Sequence, residues 1–256
     1  MKEILVKSSV DGSMQPSLFH SAEGAGRPLL VGLHTWSYGR DNQIGNMLPY
    51  AEKYDFNLLL PEFRGSNTPN NPNCRDACGS AKAITDVLDA IEYVSENYDV
   101  DKSNILLLGL SGGGHMALLT AAKAPRLFRA VGAFVPVIDL ARWHRETVGI
   151  RNYRECVEAC LGGTVETVGI DEYNSRSPIG HIDEIAKANV KIFHGKYDPV
   201  VNFRQSLDFY NELLSRHPDA RVYLDIFDGG HEINMQVAFD WFFSQMNGVK
   251  LTAVTG

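Results

Sequence analysis

Ser111 is the residue in this chain best placed to become a nucleophile. It stands in Gly109-Leu-Ser-Gly-Gly-Gly114, between the apolar run Ile105-Leu-Leu-Leu108 and the helix-forming stretch Ala117 to Ala124. A strand that turns into a helix within so few residues must bend sharply, and the apex residue takes a strained backbone conformation. Glycines two positions either side let strand and helix approach, so the serine hydroxyl stands clear above the sheet edge; this is the nucleophile-elbow pattern. The helix start just beyond it offers unpaired N–H groups to an anion. A glycine-rich βα turn with no chemistry fits the same six residues, so the decision rests on whether a base and an acid accompany the serine.

A hydroxyl is a weak nucleophile until a base takes its proton. Eight histidines are available, and His231 in Asp228-Gly-Gly-His-Glu232 is the best candidate, because two glycines after a strand allow the loop to curl back. His115 follows Ser111 on the same helix and should point away. His194, His217 and His34 suit structural or solvent roles better, His34 as a loop organiser. The acid must hold the imidazole from its other side and stay charged. Asp198, in His194-Gly-Lys-Tyr-Asp-Pro-Val-Val201, directly follows a strand and precedes a helix. Asp171, Asp183, Asp225 and Asp228 are weaker rivals. Ser111, Asp198 and His231 thus fall in one order, each just past a strand, where ligand crevices of open α/β sheets lie. An oxyanion hole needs two N–H donors: Gly112 supplies one, and the loop His34-Thr35-Trp36 the other, with Trp36 favoured over Thr35.

These residues need a scaffold that alternates strands and helices, and the chain provides one. Glu3 to Lys7 and Met14 to His20 alternate as an edge hairpin about Asp11-Gly12. Buried strands are expected at 29–33, 56–60, 105–108, 129–135, 190–193 and 221–227. Helices are expected at 46–53, 81–98, 117–124, 202–215 and 232–247, with a tail from Gly248 to Gly256. Helix 81–98 carries Ile84, Val87, Leu88, Ile91 and Val94 on one face and its acids on the other. The fold class that follows is α/β, a mostly parallel sheet with helices on both faces. Residues 1–256 read as one domain, with 139–180 as a small insertion over the carboxyl edge of the sheet and 65–80, almost free of apolar residues, as a long surface loop.

Composition limits what such a domain would meet. Hydrophobic residues make up 44%, and 24 Lys plus Arg against 31 Asp plus Glu leave a net charge of −7. Without a basic run, neither nucleic acid nor an anionic membrane is expected as a partner; no apolar stretch is long enough to span a bilayer, and no signal peptide is visible. A cytoplasmic location is the expectation, and a homo-oligomer is compatible with the chain. Cys74/Cys78 and Cys156/Cys160 form two Cys-x-x-x-Cys pairs that match no common zinc pattern well, so free structural thiols are expected, with no metal and no cofactor.

Together the motifs resemble those of the prolyl oligopeptidase-like branch of α/β-hydrolases, which also contains esterases. Pro61-Glu-Phe-Arg-Gly-Ser66, Gly109-Leu-Ser-Gly-Gly-Gly114, Ser177-Pro-Ile179, His194-Gly-Lys-Tyr-Asp-Pro-Val-Val201 and Gly229-Gly-His231 fall in the family's order, across roughly residues 29–245. The resemblance implies an α/β-hydrolase fold and the same nucleophile, acid and base. Two departures stand out. His34-Thr-Trp-Ser37 replaces the family's His-Gly-Gly-Pro loop, and residues 1–28 are too few for the propeller that restricts the peptidases to short peptides. The expected activity is therefore hydrolysis of a small-molecule carboxylic ester, with a small serine peptidase as the alternative and a non-catalytic binding module as a weaker one. Tyr38, Arg64, Trp143 and Tyr153 are the candidate substrate contacts, and such rings suit a sugar or phenolic ester.

Overall fold

The structure, a computed structural model, describes residues 1–246. In chain order its strands are β1 (Lys2–Lys7), β2 (Met14–His20), β3 (Arg27–Leu33), β4 (Asn57–Pro61), β5 (Val100–Leu110), β6 (Ala130–Phe134), β7 (Val190–Gly195) and β8 (Val222–Phe227). They form one sheet in the order β1-β2-β4-β3-β5-β6-β7-β8. β1, β2 and β4 pair antiparallel, and every pairing from β4 through β8 is parallel.

Parallel strands covered on both faces read as unbroken apolar runs, and successive residues here serve opposite faces. Leu29, Val31 and Leu107 enter one core, while Leu30, Leu106 and Leu108 enter the other. Among the described residues the α-helices are α1 (Ile44–Tyr54), α2 (Ala81–Asn97), α3 (Gly112–Lys123), α4 (Leu140–Glu146), α5 (Tyr153–Leu161), α6 (Val165–Val168), α7 (Ile170–Ser175), α8 (Ile182–Ile185), α9 (Arg204–Arg216) and α10 (Met235–Met246). The first core is closed by α2, α3, α8 and α9, and the second by α1 and α10.

Three expectations need correction. The sequence 101–104, taken as a lead-in, already belongs to β5, whose register against β3 shifts between Pro28 and Leu29. The acids of α2 are not all on its outer face, since Asp86 is buried. Residues 65–80 are not simply surface: Asn67 and residues 77–80 are buried, and the Asn67 side chain accepts from Cys78 N at 2.7 Å. The polar composition of that loop is spent on its own backbone. The expected helix end at Asn247 and the tail from Gly248 lie outside the described residues.

Residues 139–180 fold as α4 to α7 and build a third apolar cluster with Val137, Cys78 and, from the loop after β3, Trp36. This layer sits at the carboxyl end of the sheet. The chain runs from β3 outward to β4 and then returns to β5 on β3's other side. The carboxyl ends of β3 and β5 therefore flank the switch point, where open α/β sheets leave a crevice.

Candidate active site

Ser111 occupies that crevice. Its backbone has φ 58° and ψ −117°, a left-handed conformation that a non-glycine residue adopts only under tertiary constraint. The constraint is visible: Ser111 N–H donates to Phe134 O at 2.8 Å, and Ser111 O accepts from His115 N at 2.9 Å. A Cβ on Gly109 would lie 2.0 Å from Gly113 O, and one on Gly113 would lie 2.4 Å from Leu33 O. Glycine at both positions is what lets β5, α3 and the end of β3 meet.

The candidate base and acid come from the ends of β8 and β7. Lys196 N–H donates to Phe227 O and Tyr197 N–H to Gly229 O, both at 2.9 Å, which folds the loop after β8 back over β7. A Cβ on Gly195 would be 2.1 Å from Gly230 O, so the two loops touch main chain to main chain. His231 Nδ1 then donates to Asp198 Oδ2 at 2.7 Å, with the carboxylate fully buried and the imidazole 20% exposed. Asp198 Oδ1 accepts from Val200 N at 2.8 Å and Val201 N at 2.9 Å. Burial alone would raise this carboxyl, but hydrogen bonds from His194 and His231 outweigh it and hold it well below the usual carboxylate range. Among the described residues no hydrogen bond joins the Ser111 hydroxyl to His231; such contacts often tighten only when substrate is bound.

The two expected oxyanion donors separate cleanly. Thr35 N–H is taken by Asn42 Oδ1 at 3.1 Å, so Thr35 is corrected out of that role. Trp36 N lies against Gly112, where a Cβ would come within 2.6 Å of it. Its loop is held by His34, whose ring nitrogens lie 3.0 Å from Thr35 O and 2.8 Å from Glu62 O, and by the bond from Asn67 N–H to Trp36 O at 2.8 Å.

Three of the four candidate substrate contacts are structural. Arg64 is buried and pairs with Asp86 and Asp11, tying the loop after β4 to α2 and the β1–β2 turn. Trp143 is fully buried, donates its indole N–H to Val200 O at 3.0 Å, and packs edge-on against Trp36 at 4.7 Å between centroids. Tyr153 is buried against Trp143. Only Tyr38 stands in solvent, 56% exposed. Sequence reasoning did not anticipate Asn42, whose side chain accepts from Thr35 N–H and hydroxyl, or Asn67, whose main-chain N–H donates to Trp36 O.

A groove of about 650 Å³ runs beside the elbow on the α1 and α10 side. Asn46, Tyr50, Phe134, Phe193, Phe227 and Glu232 are among its walls; Ser111 and His231 are not, but Phe134 O accepts from Ser111 N–H and Glu232 follows His231 in the chain. All four cysteines are free thiols. Burial pushes Cys156 up to about 11, and contact with Cys78 together with burial pushes Cys160 further up, so these thiols are poor nucleophiles. Among the described residues no helix is long and apolar enough to cross a membrane.

With this geometry in place, the comparison with known proteins is specific. The prolyl oligopeptidase family matches residues 46–243. The chain belongs to that family. Acylamino-acid-releasing enzyme 2 of Oryza sativa subsp. japonica is 24% identical over 250 residues, covering 91% of this chain and 32% of its own. Feruloyl esterase B of Neurospora crassa is 32% identical over 98 residues, 35% of this chain and 32% of its own. The chain thus spans about a third of either relative's length. In structure, fluorophosphonate-binding serine hydrolase F of Staphylococcus aureus superposes with a TM-score of 0.73 at 16% identity, covering 96% of this chain and 98% of that one. The fold is that of the α/β-hydrolases.

Proposed function

We propose that this protein is a serine hydrolase that cleaves carboxylic esters through an acyl-enzyme. The observation that carries the reading is the 2.7 Å bond between His231 and the buried Asp198, at the sheet edge where Ser111 holds a strained elbow. Ser111 Oγ attacks the ester carbonyl carbon while His231 Nε2 takes its proton. Asp198 keeps the other ring nitrogen protonated and stabilises the imidazolium. The N–H groups of Gly112 and Trp36 receive the charge that develops on the carbonyl oxygen. Collapse breaks the bond to the alcohol, which leaves with the proton from His231. Water, deprotonated by the same imidazole, then releases the acid and regenerates Ser111.

The aromatic groove beside the His231 loop receives part of the substrate. The chain acts as one α/β-hydrolase domain with 139–180 as the layer above the site. Free buried thiols fit the reducing conditions of the cytoplasm.

Ester chemistry is the reading that asks least of the site, because an alkoxide leaves more readily than an amide nitrogen, which must be protonated in flight. The rice relative's name favours a second reading, release of an acylated amino acid by amide cleavage. Fluorophosphonate labelling with Ser111→Ala as control tests the nucleophile. Matched p-nitrophenyl esters and N-acyl-aminoacyl p-nitroanilides then separate the two bonds: higher kcat/KM on the esters is expected, and equal or faster anilide turnover would replace the ester reading by the amide one.

A further inference from the structure

We infer that His194 and Ser206 extend the Asp198–His231 couple into the core and act as its positioning residues; the inference rests on the triad reading above. His194 is in β7 and Ser206 in α9, and both are wholly buried. His194 Nδ1 lies 2.7 Å from Ser206 Oγ. Its Nε2 lies 2.9 Å from Val201 O and 3.3 Å from Asp198 Oδ2. Nε2 therefore faces two acceptors that carry no hydrogen, so it holds the ring proton itself. Nδ1 is left with a lone pair, which the Ser206 hydroxyl fills. The chain has one sense: Ser206 donates to His194, and His194 donates to Val201 O and Asp198 Oδ2.

The position of this donor explains its use. The two N–H groups on Asp198 Oδ1 belong to the carboxylate's own loop, residues 198–201. They would move with that loop. His194 projects from β7, which is paired on both sides, to β6 and β8, and grips the loop twice, by a carbonyl and by the carboxylate. It is thus the link that references Asp198, and through it the His231 ring, to the rigid sheet that also carries Ser111.

Asp198 Oδ2 also divides its charge between two donors, His231 and His194. Removing His194's N–H returns that charge to His231, which then holds its proton to higher pH. The charged groups of the His231 loop, Asp228 and Glu232, line the groove instead and are unchanged in every variant below. A histidine that merely fills space would affect folding but not this titration.

The test compares His194→Leu, His194→Gln and Ser206→Ala with the wild-type protein, using a p-nitrophenyl ester from pH 5 to 9 and fluorophosphonate titration of active sites. His194→Leu should lower kcat about 10-fold or more, the size of a small misalignment, with little change in KM. Its acid limb should move upward by a few tenths of a unit to about one unit, the scale of one hydrogen bond shared with a charged group. His194→Gln, which can restore an N–H near the same point, should recover most of both. Ser206→Ala, which touches no triad residue, should shift the limb the same way by less. If His194→Leu fails to fold, the other two variants decide. The inference is overturned if the acid limb and kcat stay at wild-type values in Ser206→Ala, or if His194→Gln is no better than His194→Leu. Wild-type protein that escapes the probe at Ser111 would instead sink the triad reading itself.

Discussion

The main-chain nitrogen of Trp36 and the α-carbon of Gly112 approach so closely that a β-carbon on Gly112 would stand 2.6 Å from that nitrogen. Two N–H groups from loops after β3 and β5 are thereby brought to one point. Gly112→Ala should displace Trp36 and cut kcat by about 10²- to 10³-fold, the usual worth of one oxyanion donor. Turnover per fluorophosphonate-titrated site is the measurement. A variant within threefold of wild type would show that Trp36 N–H is not used.

The elbow strain gives a separable stability effect. Ser111 holds φ 58°, a region that costs a side-chain-bearing residue about 1–3 kcal/mol. Ser111→Gly and Ser111→Ala should both lose activity, but the glycine variant should be the more stable by about 1 kcal/mol after its greater unfolded-state entropy is counted. Urea denaturation of the pair checks this, and an alanine variant as stable as the glycine one would remove strain from the account.

His115 makes the fold sensitive to mild acid. Burial lowers its pKa from 6.5 to about 4, although its bond to Arg176 O acts in the opposite direction. Because the folded-state value lies below the unfolded one, the unfolded chain binds the proton first as pH falls. Stability should therefore be full above about pH 6.5 and decline toward pH 4, by about 3 kcal/mol in all. His115→Gln, which keeps a donor for Arg176 O, should flatten that slope between pH 7 and 5; an unchanged slope would assign it to other groups.

Arg64 illustrates a residue whose importance is structural. Its side chain and that of Asp86 are almost fully buried as a pair, with Ser8 also bonded to both. Arg64→Met would leave a buried carboxylate without its partner and should destabilise the protein by about 3–5 kcal/mol. KM for the ester should not change in the folded fraction. A large rise in KM with normal stability would return Arg64 to the substrate site.

The sheet was legible because parallel strands buried on both faces carry continuous apolar runs such as 29–33 and 105–108, and because strands and helices alternate. Ser111, Asp198 and His231 could be picked out as candidates for a related reason: each closely follows a strand, and strand ends are where such a sheet gathers its chemistry; the Asp198–His231 bond joins two of them. What stayed hidden depends on long-range pairing. Asp86 looks like a solvated charge and Arg64 like a substrate contact until α2 and the loop after β4 are packed together. Thr35 stands as the second choice to Trp36 until Asn42 claims its N–H. Trp143 and Tyr153 look like ligand-facing rings in a loop, and they are instead the apolar mass that lets four short helices sit on the sheet.

The Trp36 side chain is held in that helical layer: its ring packs on Trp143 and belongs to the same apolar cluster as Cys156. The backbone of the same residue reaches Gly112 at the crevice that holds Ser111. The layer and the reaction are thus joined by a single tryptophan, with its ring in one and its amide in the other. Heating that loosens α4 and α5 from the sheet would misplace an amide before the sheet itself melts. Such an enzyme should lose turnover several degrees below its cooperative unfolding transition, and recover it on cooling.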